Sequence, residues 1–202
     1  MIKNLIFDFG KVLVQYDFPS IIHTWFEYPE REAEFNRVVM THEWQCIQDI
    51  ELKPWSEVIE DMKAETPQFI AEIDRFDKEY QKFVLGEMPG MKDLLIELKE
   101  KGYRLLGLSN WSSRVYETMA NYDIFNLLEG SVISNEVHLL KPDPQIFTLT
   151  LDKFGIKAEE TIFADDRADN IEGARSVGID AVLFTDCEAF KKELATRGID
   201  LK

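Results

Sequence analysis

Residues 3–17 read KNLIFDFGKVLVQYD. Asn4-Leu5-Ile6-Phe7 is a short, mostly apolar run of the kind that fills a strand covered on both faces, and it ends on an ionisable residue, Asp8. Phe9-Gly10-Lys11 interrupts the pattern before Val12-Leu13-Val14 resumes it. An aspartate at a strand end is most often a turn or cap residue, so the meaning of Asp8 depends on what else reaches the same edge.

Further short runs rich in Ile, Leu, Val and Phe recur along the chain: Tyr103–Leu108, Gly130–Ile133, Thr161–Ala164 and Ala181–Phe184. Helical patterns separate them. MKDLLIELKEKG (91–102) places Met91, Leu94, Leu95 and Leu98 on one face and stops at a glycine, and PQIFTLTLDKFG (144–155) stops at Gly155. Strands joined by crossover helices predict an α/β protein with a doubly wound parallel sheet, whose ligands bind at the carboxyl ends of the strands.

Residues 17–85 depart from this alternation. REAEFNRVVM, WSEVIEDMKAE and PQFIAEIDRFDKEYQKFV read as helices, no convincing strand is present, and GEMPG (86–90) reads as a return hinge. The expected organisation is a core of residues 1–16 and 86–202 with an inserted helical cap over 17–85. The insertion carries 16 acidic and 7 basic residues, more than half of the chain's excess charge of -15, which fits solvated helix faces. That charge argues against a nucleic-acid or anionic-membrane surface, but not against a small phosphorylated metabolite, which needs only local positive charge. Cys46 and Cys187 lack metal-ligand spacing, and no run has membrane-spanning length or the look of a leader; the expectation is a cytoplasmic monomer or homodimer.

Polar clusters follow three of the strand runs: Asp8-Phe9-Gly10, Ser109-Asn110 and Asp165-Asp166. Lys141, in LLKPDP, precedes a helix. Carboxylates gathered at one sheet edge repel unless they are protonated or share a cation, and a hard divalent ion such as Mg2+ resolves the conflict. Zinc is less attractive because no His or Cys accompanies them. Ser109, Asn110 and backbone N–H groups could hold an oxyanion, and Lys141 supplies a cation, so the set suits a phosphoryl group. Asp8 then has two conceivable roles, metal ligand and nucleophile.

The four stretches LIFDFGKVLV, LSN, LKPDPQIF and IFADDRADNIEGARSVG together resemble, in order, the four motifs of the haloacid dehalogenase-like hydrolases. The insertion is similar to their helical cap, and the branch most resembled contains alpha-glucose-1-phosphate phosphatase-like sugar phosphatases. The resemblance implies a magnesium-dependent phosphatase working through an aspartyl-phosphate. Asp8 would be nucleophile and ligand, Ser109 and Lys141 would hold the phosphoryl group, Asp166 would bind the metal directly with Asp165 behind it, and Asn170 would orient the cluster. Asp169 reads as a helix-start residue.

One position departs from the family pattern. Most such phosphatases carry a second aspartate two residues after the nucleophile, as general acid; here Gly10 retains only the backbone carbonyl that the pattern assigns to the metal. General acid catalysis contributes about 100- to 10,000-fold, so a leaving group needing little protonation, such as the anomeric oxygen of a sugar 1-phosphate, would suffer least. His23 and His42 are substitutes by residue type only. The insertion holds 11 of the 24 aromatic residues, and Trp44, in THEWQCIQD, is the one nominated as substrate-facing. Two rivals remain: a metal-independent 2-haloacid dehalogenase, which has no need of the acidic pair, and a weakly catalytic protein that binds a phosphorylated ligand and regulates.

Overall fold

The computed structural model describes residues 1–201. β1 (Asn4–Phe7) is followed by β2 (Val14–Tyr16) and by five helices: α1 (Phe18–His23), α2 (Pro29–Val38), α3 (His42–Ile50), α4 (Trp55–Glu65) and α5 (Ile70–Lys78). The chain returns through β3 (Val84–Glu87) and α6 (Met91–Glu100) to β4 (Arg104–Ser109), α7 (Val115–Asn121), β5 (Gly130–Ile133) and α8 (Ser134–Val137). α9 (Pro144–Phe154), β6 (Thr161–Asp165), α10 (Ala168–Ser176), β7 (Asp180–Leu183) and α11 (Cys187–Thr196) complete it.

The main sheet has the order β5-β4-β1-β6-β7 with every neighbouring pair parallel, the α/β arrangement expected from the alternation of strand and helix. Strand residues alternate between two cores. Leu5 and Phe7 join the core that continues into the inserted helices, whereas Ile6 faces the one built with Leu106, Phe147 and Phe163. Asn4 is the polar exception in β1, and its amide donates to Thr161 Oγ1 and the Glu160 carbonyl. The α6 face expected from spacing is buried at all four positions, Met91, Leu94, Leu95 and Leu98.

β2 and β3 pair antiparallel at the root of the inserted helices. The run 67–84 is not one helix: a 3-10 turn (Pro67–Phe69) precedes α5, another (Tyr80–Phe83) follows it, and Val84 already belongs to β3. The three-residue period puts Tyr80 and Phe83 on one side, where both meet Phe18; the Phe18 and Phe83 rings stack at 4.5 Å. α3 forms where the sequence showed only a polar and aromatic mixture. The Thr41 hydroxyl caps it by accepting the Trp44 N–H at 3.1 Å, and Glu51 ends it in the left-handed region at φ 48°. Among the described residues no helix is long and apolar enough to cross a membrane.

Candidate active site

The register of the parallel strands brings the polar clusters together. Phe7 pairs with Gly107 of β4 and Ala164 of β6, so Asp8 emerges level with Leu108 and Asp165, one residue short of Ser109. The Asp8 N–H extends the ladder to the Ala164 carbonyl. Three donors converge on Asp8 Oδ1: the Phe9 N–H at 2.6 Å, the Ser109 hydroxyl at 2.9 Å and Lys141 Nζ at 3.0 Å. Oδ2 has no hydrogen-bond partner among the described residues.

Lys141 is buried between two carboxylates. Its ammonium also lies 2.6 Å from Asp165 Oδ2 and donates to the Leu108 carbonyl at 3.0 Å, which uses all three of its protons. Asn110 spends its amide on the lysine backbone, accepting the Lys141 N–H at 2.8 Å and donating to the Lys141 carbonyl at 2.9 Å. Behind the lysine, α10 approaches closely enough that a Cβ at Gly173 would sit 2.5 Å from the Pro142 carbonyl oxygen. Asp165 is fully buried and saturated, accepting from Lys141, from the Asn170 amide and from the Arg167 N–H. Asp166 is more open and faces Lys11 at 4.0 Å.

A side chain at position 10 has no room. An ideal Cβ on Gly10 would lie 2.4 Å from Cε1 of Tyr16, whose ring occupies that space. The ring is flanked edge-on by Phe18 and Trp111. Lys11 adopts φ 59° in the tight turn between β1 and β2, and its ammonium lies 5.4 Å from the Tyr16 ring centroid.

Burial pushes the Asp8 carboxyl up from 3.8 to about 7, with the charge of Asp165 adding to the rise and Lys141 and the Phe9 N–H opposing it. Burial also works against a charged Lys141, but Asp165 and Asp8 outweigh it and raise the ammonium above its ordinary value. Asp166 is raised by burial and by Asp165. The edge therefore carries more negative charge than one lysine balances. One oxygen each of Asp8, Asp165 and Asp166 lie within 4.8 Å of one another, and Asn170 Oδ1 is a buried acceptor without a partner. An all-oxygen donor set with a charge deficit fits a hard divalent cation.

The family model for haloacid dehalogenase-like hydrolases matches residues 2–178. The chain belongs to the haloacid dehalogenase-like hydrolases. Within this family it is 34% identical over 102 residues to the glyceraldehyde 3-phosphate phosphatase of Pyrococcus abyssi, covering 50% of this chain and 43% of that one. It is 26% identical over 110 residues to (S)-2-haloacid dehalogenase 4A of Burkholderia cepacia, covering 54% and 47%. The chain spans about half the length of these curated relatives. A HAD family enzyme of Bacteroides thetaiotaomicron, solved in complex with magnesium and inorganic phosphate, shares the fold at TM-score 0.73 and 23% identity, covering 92% of this chain and 96% of that one.

The residues nominated from the sequence divide into two groups. Asp8, Ser109, Lys141, Asp165, Asp166 and Asn170 meet at one edge with Gly10 beside them. Asn110 is adjacent, and its side chain holds the Lys141 backbone. Trp44 is buried in the main core, near the far end of α3 from the sheet edge. His23 is paired with Glu32 at 2.8 Å and His42 is exposed beside Cys46. Two further residues bear on the site: Tyr16, whose ring fills the space at Gly10, and Asp49, on whose carboxyl the charges of Asp8 and Lys141 act. The aromatic spacing of residues 16 and 18 after the turn was the only available signal for Tyr16.

Proposed function

We propose that this hydrolase is a magnesium-dependent phosphatase of small phosphomonoesters, working through an aspartyl-phosphate on Asp8. The observation that carries the reading is the asymmetry of the Asp8 carboxylate: three donors fix Oδ1, while Oδ2 has no hydrogen-bond partner among the described residues. A fixed carboxylate with one free oxygen is oriented for in-line attack on phosphorus, and the entropy of that orientation is already spent by folding.

In this reading Lys141 keeps Asp8 ionised and faces the transferring phosphoryl group. Ser109 can turn its hydroxyl from Asp8 to a phosphoryl oxygen. Asp8, Asp166 and the Gly10 carbonyl would hold Mg2+, with Asp165 and Asn170 positioning them; the bound cation would offset charge on the phosphoryl oxygens. The names of the relatives support a phosphorylated carbohydrate as substrate class. Within that class an anomeric ester such as a sugar 1-phosphate is favoured where no residue replaces the acid absent at Gly10, since its leaving oxygen needs the least protonation. The dehalogenase alternative explains Asp8 but leaves the paired acids without a task.

The test is release of inorganic phosphate from a panel of sugar phosphates, phospho-acids and nucleotides in the presence of MgCl2, with Asp8→Asn as blank. Turnover that needs Mg2+ and vanishes in the variant is expected. A folded, magnesium-supplied protein inert toward every ester, or one releasing chloride from 2-chloropropionate in EDTA, would overturn the assignment.

A further inference from the structure

Helix α3 ends on the catalytic edge. The Asp49 carbonyl accepts the Ser134 hydroxyl at 2.6 Å, the Ile50 carbonyl lies 2.9 Å from His138 Nδ1, and the Glu51 carboxylate accepts the Ser113 hydroxyl at 2.7 Å. Ser134 Oγ in turn accepts the N–H of Trp111, two residues beyond Ser109. Three consecutive residues of the insertion are thereby tied to the loop after β4 and to α8. The Asp49 backbone is fixed, yet its half-buried carboxylate has no hydrogen-bond or ion-pair partner among the described residues. Neither of its oxygens is among the buried polar atoms that lack a partner, so the group is open to water or to a ligand.

The surroundings of Asp49 are those of the reacting groups. The charges of Asp8 at the end of β1 and Lys141 before α9 both act on it, as does Glu51 from its own helix end. Its charge acts in turn on Tyr16 of β2, on Tyr80 in the turn after α5 and on Cys46 of α3. The ring of Tyr16 closes the Gly10 position to any side chain, so an acid must come from elsewhere. No histidine is available for it: His138 is engaged with Ile50, and His23 and His42 lie on the exposed side of the helices.

We propose that Asp49 is the proton donor and acceptor of the hydrolytic cycle, supplying from the inserted helices the group that Gly10 lacks. This rests on the phosphatase reading above. As Asp8 Oδ2 bonds to phosphorus and the bond from phosphorus to the ester oxygen breaks, the Asp49 carboxylic acid gives its proton to the departing oxygen and becomes a carboxylate. A water molecule then attacks the phosphoryl group, its proton passes to Asp49, and the bond between Asp8 and phosphorus breaks. Phosphate, ionised Asp8 and protonated Asp49 are restored. Burial, with Asp8 and Glu51 adding to it and Lys141 opposing, pushes the Asp49 carboxyl up from 3.8 to about 7, which suits a group that must both give and take a proton near neutrality. With a donor present, the substrate need not be an anomeric ester.

Two esters separate the roles, and kcat/KM isolates the first transfer from later hydrolysis of the aspartyl-phosphate. 4-Nitrophenyl phosphate has a leaving group that departs as the anion; glycerol 3-phosphate releases an alkoxide that must be protonated. Asp49→Asn should lower kcat/KM for glycerol 3-phosphate by about 100- to 10,000-fold and leave that for the aryl ester within about threefold. In the wild type, which requires no variant to fold, the ratio of alkyl to aryl kcat/KM should fall about tenfold per pH unit above the Asp49 pKa. Equal losses on both esters, no loss on either, or a pH-independent ratio would overturn the role of Asp49 while leaving the phosphatase reading intact. A wild type that cleaves neither ester in MgCl2 removes both.

Discussion

Adding one carbon at position 10 should destabilise this protein, against the usual effect of replacing a glycine. Gly10 is outside the left-handed region, so Gly10→Ala would ordinarily stabilise by about 0.4–1 kcal/mol through the unfolded chain. Here the new methyl carbon would stand 2.4, 3.2 and 3.5 Å from Cε1, Cδ1 and Cζ of Tyr16, where carbon atoms rest at about 3.5–4.0 Å. The ring must move by roughly an ångström against Phe18 and Trp111, and overpacking of this kind costs about 1–3 kcal/mol. The net expectation is a loss of about 1–2 kcal/mol. Urea denaturation of the wild type, Gly10→Ala, Tyr16→Ala and the double variant forms a cycle. The methyl should be harmless once the ring is gone, with a coupling of about 1–3 kcal/mol. A Gly10→Ala protein as stable as the wild type, or an additive cycle, would refute the claim that the ring occupies the side-chain space. The same logic extends to function: in an Asp49→Asn background, Gly10→Asp should restore alkyl-ester activity only together with Tyr16→Ala.

Lys141→Met leaves Asp8 and Asp165 buried without a counter-charge, so metal-free stability should fall by about 3–5 kcal/mol in urea titrations at neutral pH, with part of the loss recovered by MgCl2. Gly173→Ala directs a methyl at the Pro142 carbonyl, a backbone atom that cannot rotate away; a loss of about 1–3 kcal/mol and a lower kcat are expected from displacement of Lys141. Asp8 and Asp49 hold their protons more tightly folded than unfolded, each raised from 3.8 to about 7. Between those values the folded chain carries more protons than the unfolded one, so their contribution favours folding at low pH and declines as pH rises through 7. Melting curves of the metal-free protein should therefore show Tm dropping from pH 5 to 8, and Mg2+, which competes with the proton on Asp8, should raise Tm more at pH 8 than at pH 5.

What the sequence determined by itself is what local pattern can carry. Asp8, Ser109 and Asp165 each close a short apolar run, and parallel strands all end at one edge, so their convergence follows from the strand pattern plus one topological rule. Lys141 and Asp166 sit beside such features within a few residues. The helical nature of 31–38 and 55–65 was legible for the same reason, their apolar spacing being internal to each segment. Position 10 could be read as a missing acid, but not as an occupied space.

Only the tertiary structure decided what stands over Gly10 and what faces Asp8 from the insertion. Tyr16 reaches position 10 because β2 pairs with β3, a contact between residues about seventy positions apart that neither strand announces. Asp49 reaches the site because the end of α3 is tied to Ser134, His138 and Ser113, and the short mixed stretch that forms α3 marks Trp44 rather than Asp49. The expected helix over 67–84 breaks for a related reason: the rings of Tyr80 and Phe83 turn together onto Phe18. Such placements are set by the docking of the inserted helices on the core, the sum of many weak apolar contacts and a few backbone hydrogen bonds between distant segments. No single stretch of sequence contains that sum.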